Sequence, residues 1–179
     1  MKKFISLVAS IVALVMGISC SSDDILVDYD PIEIKINLVD KDGNNLLSEK
    51  TEGNWLGQPF SVEYKNETYT ADWSVLKNTI HESREYLHHF YGFAAMPQEE
   101  WTDHGWIKKK GEFYLSFGEF DRGTDQNIKI KFMIPGREGA DEIELTNEVK
   151  NSKSKTTISL NGKEFKGEDV TIVLPEFEE

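Results

Sequence analysis

A single immunoglobulin-like antiparallel β-sandwich is the fold this sequence predicts, and three observations predict it. Apolar and polar residues alternate in short runs, the period of a half-buried strand. Turn-forming residues separate those runs at regular spacing. No long segment holds a helical period, residues 73–85 offering only one short helix.

The first strand is the clearest. Ile32, Ile34, Ile36 and Leu38 alternate with Glu33, Lys35 and Asn37, and Asp40-Lys41-Asp42-Gly43-Asn44 ends the run with turn residues. Phe60, Val62 and Tyr64 repeat the alternation. Lys65-Asn66 then reads as a tight turn into a partner strand with Tyr69, Ala71 and Trp73. Phe113, Leu115 and Phe117 form the next alternating set, followed by Ile128, Ile130, Phe132 and Ile134, which Pro135-Gly136 stops. Ile143 and Leu145 come next. Residues 147–155 are a polar stretch with little to bury. Ile158 and Leu160 lead into Asn161-Gly162, the strongest hairpin signal in the chain. Val170, Ile172 and Leu174 make the last strand before Pro175.

The N-terminus carries an export signal. Lys2 and Lys3 precede an uncharged apolar run, Phe4 to Met16, which falls short of the roughly 20 residues that span a bilayer. Gly17-x-Ser19 satisfies an ordinary small-x-small cleavage site. The competing reading is a lipobox, in which Cys20 becomes the new N-terminus and carries acyl chains. Cys20 is the only cysteine, so it has no internal disulfide partner, and lipidation supplies its role. The following Ser21-Ser22-Asp23-Asp24 makes the segment resemble the lipoprotein export signal of Bacteroides-type bacteria. That resemblance implies attachment to the outer membrane, facing outward. The expected organisation is a cleaved signal peptide at 1–19, a lipidated flexible tether at 20–30, and one domain at 31–179.

Charge narrows the partners. Removing residues 1–19 takes away two lysines and no acid, which leaves 18 basic and 32 acidic residues and a formal charge of −14. Such a surface repels phosphate backbones, so nucleic acid is not an expected partner. No cofactor fingerprint, phosphate loop or nucleophile elbow is present in the sequence.

The mature chain is similar to small β-sandwich lipoproteins of the same bacteria. The similarity lies in the Asp-x-x-Gly-Asn turn at Asp40 to Asn44, in Tyr91-Gly92-Phe93, and in Phe117-Gly118-Glu119-Phe120. It implies the sandwich fold and brings no catalytic residue. Gly53-x-Trp55 is similar to the opening Gly-x-Trp of lipocalins. A lipocalin-like β-barrel is therefore the alternative fold, although a complete strand precedes the motif. A tryptophan closing an open end of the core is the preferred reading.

Candidate sites are few. Asp40-x-Asp42-Gly43 has calcium-loop character, but Leu38 stands where the first carboxylate ligand belongs, which favours a plain turn. His81, His88, His89 and His104 match no zinc spacing, and no metal is expected. Met96 to Trp106 (MPQEEWTDHGW) is the most distinctive segment, two tryptophans among acids and a histidine in a polar loop. Indoles stack on sugar rings and anchor protein interfaces, while acids hydrogen-bond hydroxyls. Trp101, Asp103, His104, Trp106 and Tyr91 are the candidate ligand-binding residues, with Tyr114 a weaker member. The opposing expectation is that both indoles fold back onto the core. The expected function is a non-enzymatic surface module that binds a glycan or a protein. The alternatives are a barrel-like carrier of a small apolar ligand and a glycan-processing enzyme.

Radiolabelled fatty acid should be incorporated by the wild-type chain and not by Cys20→Ala. Undiminished labelling of the mutant rejects the lipobox.

Overall fold

Alternation in the sequence becomes alternation of burial in the strands. A computed structural model of the chain describes residues 31–77, 92–103, 105–151, 153–165, 167 and 169–174. In β1 (Ile32–Val39) the three isoleucines and Leu38 are fully buried while the residues between them are only partly covered. After Asp40 to Asn44 and a long connection come β2 (Ser61–Tyr64) and β3 (Glu67–Thr70). Lys65 and Asn66 both take positive φ, the backbone of a two-residue hairpin turn whose twist matches the strands it joins. The chain goes on through β4 (Phe93–Thr102), β5 (Gly105–Phe120), β6 (Gln126–Met133), β7 (Asp141–Lys150), β8 (Lys153–Leu160), β9 (Lys163–Phe165) and β10 (Asp169–Val173).

These strands form two open sheets packed face to face, the expected sandwich. One sheet has the order β10-β1-β5-β4 and the other β3-β2-β6-β7-β8-β9. Neither closes on itself, so the barrel alternative falls. Trp55 belongs to the core, stacked on Phe60 at 5.8 Å between centroids, rather than opening a barrel. One pairing departs from the antiparallel expectation. β10 runs parallel to β1, Lys35 opposite Asp169 through Val39 opposite Val173. Alternation tells which face a residue occupies, but it does not tell which strand lies alongside.

The core is continuous between the sheets. Ile32, Ile34, Ile36, Leu38, Leu115 and Phe117 come from one side, and Val62, Ile130, Phe132, Ile143, Leu145 and Ile158 from the other. Aromatic contacts cross the gap. Phe93 meets Phe132 at 6.1 Å, and Phe117 meets Tyr64 at 5.6 Å and Tyr69 at 5.7 Å. Offset and edge-to-face arrangements of this kind add stabilisation beyond the area they bury.

Several boundaries differ from the expectation. Ala71 and Trp73 lie past the end of β3, and Trp73 donates its indole N–H to the Gln58 carbonyl at 2.8 Å. The short helix is realised as a single 3-10 turn at Ser74–Lys77, entered where the Asp72 carboxylate accepts the Ser74 N–H. Its proposed continuation lies outside the described residues. Within the polar stretch, residues 147–150 and 153–155 form the outer end of the β7–β8 hairpin. Asn147 is buried there and donates to the Arg122 and Thr124 carbonyls while accepting from Thr156 Oγ1. A buried amide with its partners supplied costs little.

The Asn161-Gly162 turn behaves as expected. Asn161 has a φ of 50° and Gly162 of 81°, and the Asn161 amide accepts the Glu142 N–H and donates to Asp141. Buried Asp141 also receives both guanidinium nitrogens of Arg137, at 2.9 and 3.1 Å. Its charge is thus compensated by a bidentate ion pair.

Phe132→Ala should lower the stability of the domain by about 3–5 kcal/mol, the usual cost of emptying an aromatic site in a filled core. A urea titration should show an earlier midpoint with an unchanged slope. A loss below about 1 kcal/mol would mean that the two sheets do not share this core.

Candidate functional site

The segment expected as a loop is the far half of a hairpin. Phe93 to Pro97 pair with Phe113 to Phe117, and farther out Glu99 pairs with Lys108, Glu100 with Ile107, Trp101 with Trp106 and Thr102 with Gly105. A register shift separates the two halves, so that Gln98 alone stands opposite residues 109–112. Gly111 lies in this bulge with a φ of +72°, and a Cβ there would come within 2.7 Å of the Glu49 carboxylate. Glu49 in turn donates its backbone N–H to the Gly111 carbonyl at 2.8 Å. The positive φ favours glycine, and a side chain there would also have to displace that of Glu49. β1 supports β5 between Leu115 and Phe120, and the segment at 47–49 supports residues 111–113. Beyond that point the ribbon has two strands.

Near the end of this ribbon, Trp101 and Trp106 are 65% and 68% exposed. The expectation that both indoles return to the core is not met. Residues directly opposite in an antiparallel pair project from the same face, which brings the two indoles together. Their centroids are 5.4 Å apart at an interplanar angle of 71°, an edge-to-face pair. Glu99 and Lys108 share that face by alternation. The other face carries Glu100, Ile107 and Lys109, with Lys109 ion-paired to Glu100 at 3.5 Å. Thr102 Oγ1 donates to the Gly105 carbonyl and closes the turn around exposed Asp103.

The remaining candidates are less close. His104 and Tyr91 lie outside the described residues, as do His81, His88 and His89. Tyr114 sits half-buried on β5 away from the tip, with the Lys35 ammonium 5.7 Å from its ring centre. The Asp40 turn uses its carboxylate internally, accepting from the Asp42 and Asn44 N–H groups and the Asn44 amide, and these bonds hold its pKa below the usual carboxylate range.

An open, charge-lined cleft was not foreseen. Glu49, Lys50, Glu100, Lys109, Lys110 and Glu112 line it, against the ribbon face that lacks the tryptophans. Lys50 donates to Glu112 at 2.9 Å, which lowers the Glu112 pKa against the opposing effect of its partial burial. No local pattern brings residues 49–50 beside residue 112. The tip itself did leave a signal, since the spacing Trp-Thr-Asp-His-Gly-Trp sets two indoles symmetrically about a short polar turn.

Fold and tip together define a β-sandwich that carries an aromatic hairpin beyond its core. No family model, curated protein or solved structure matches the chain.

The indole pair should give a far-ultraviolet exciton couplet in circular dichroism. Trp101→Phe and Trp106→Phe should each remove it, with a stability change under about 1 kcal/mol, the scale of one cross-strand pair. A couplet that survives either change would disprove the pairing.

Proposed function

We propose that the chain is an outer-membrane lipoprotein, anchored at Cys20 and facing outward, whose β-sandwich is a non-enzymatic glycan-binding module. One observation carries this reading: two paired indoles stand in solvent at the end of a hairpin, away from a core that buries Trp55, Phe60, Phe93, Phe117 and Phe132. Solvated apolar groups of this size oppose the hydrophobic effect and stand as a binding surface.

The surroundings favour a neutral ligand with ring faces and hydroxyls. Glu99 is opposed by Lys108, and Glu100 is bridged to Lys109, so these four charges are balanced in pairs. Asp103 and Thr102 add oxygen acceptors at the turn. A protein partner fits less well, because two indoles offer at most about 500 Å². A standard protein interface takes about 800 Å² from each side.

The other expected functions have less support. A carrier needs an interior cavity, whereas Phe60, Phe117 and Phe132 fill the space between two open sheets. A glycan hydrolase needs one carboxyl held protonated near neutral pH. In the cleft, Lys50 pushes Glu112 in the opposite direction.

The mature chain, applied to an array of neutral glycans, should retain at least one class. The double variant Trp101→Ala/Trp106→Ala should weaken that binding by at least about tenfold, the loss of roughly 1.4 kcal/mol of contact energy. Binding that ignores the double variant, or none at all, defeats the proposal.

A further inference from the structure

We infer that the Trp101–Trp106 pair takes the terminal pyranose ring of a neutral glycan, one ring at a time, and not an interior stretch of the chain. This deepens the glycan-binding reading and rests on it. The angle between the indoles is the first reason. Their planes are inclined at 71° with centroids 5.4 Å apart. A sugar ring laid with its C–H face on one indole therefore meets the other nearly edge-on, as the wall of a corner. Flat chains of equatorially linked pyranoses keep successive rings in one plane. Only coplanar aromatic rings set along that plane can stack on two of them.

Length is the second reason. Trp101 lies opposite Trp106, so the aromatic surface is one cross-strand pair deep. The next pair on that ribbon face is Glu99 with Lys108, two residues inward. Two residues of strand cover about 7 Å, room for one pyranose ring. Among the described residues no third exposed aromatic ring continues the surface, the other large exposed side chains being Ile107 on the opposite ribbon face and Val173. Polarity is the third reason. Glu99 and Lys108 border the indoles on the inner side, and exposed Asp103 borders them at the turn. Groups able to bond hydroxyls thus stand on both sides of a single ring. A terminal residue offers them one more free hydroxyl than an interior residue does.

Chain length supplies the test, with the protein unaltered. The mature chain is titrated, by tryptophan fluorescence, with ladders running from the methyl monosaccharide to the hexasaccharide. The ladders are β-1,4-glucan, β-1,3-glucan, α-1,4-glucan, β-1,4-galactan and α-1,6-mannan. In a ladder that binds, the Kd per chain should stay within about twofold from one residue to six. Trp101→Ala and Trp106→Ala should each weaken the binding by at least about fivefold, because either change removes a wall of the corner. A Kd that falls in proportion to the residues per chain would mean that any residue is taken. A steeper fall would mean that consecutive residues share the site. Either result overturns the inference and leaves the glycan reading in place, and so does a single variant that keeps full affinity. A chain that binds no ladder defeats both.

Discussion

Phe117 joins the two sheets, and the rest of the structure depends on that junction. Its ring meets Phe93 and Phe120 from its own sheet, and Tyr64 and Tyr69 from the facing one. Its backbone lies between β1 and β4, opposite both Ile34 and Phe93. One residue thus settles the register of three strands and the contact between layers. A one-residue slip of β5 would turn Phe117, Leu115 and Phe113 to the outer face together. The inner half of β5 is held in this way by burial, and the outer half is free to project.

That division explains why the tip differs from everything behind it. The inner part of the β4–β5 hairpin has β1 on one side and a packed core beneath. The bulge at 109–112, with Gly111 pressed against Glu49, marks where those supports end. Past the bulge only cross-strand pairs remain, and the indole pair is the largest of them. The mutual edge-to-face contact of the two tryptophans stiffens a ribbon that lacks a core, while their outer surfaces stay in solvent. In the proposed glycan-binding role, such stiffening limits the ordering cost.

Polar groups inside the sandwich follow the opposite logic. Asp141 is saturated by Arg137 and Asn161, and Asn147 by two carbonyls and Thr156. Both sit at the margins of the core, where β7 meets a turn or a loop, and both tie strand ends together. The charged cleft beside Glu112 is similar in kind, with cations and acids interleaved along its walls.

The sequence by itself determined the all-β class, most strand positions, and the turns at Lys65-Asn66 and Asn161-Gly162. Each of these is a local property: period-two alternation reports burial, and turn residues report positive φ. The tertiary structure alone decided the parallel pairing of β10 with β1, the strand character of residues 147–150 and 153–155, the cleft, and the exposure of Trp101 and Trp106. In each case the deciding contact joins residues far apart in the chain, or depends on where a core ends. Trp101 illustrates the limit. Its neighbours in sequence are the same whether it is buried or solvated, and only the reach of the β4–β5 hairpin past its supports places it in water.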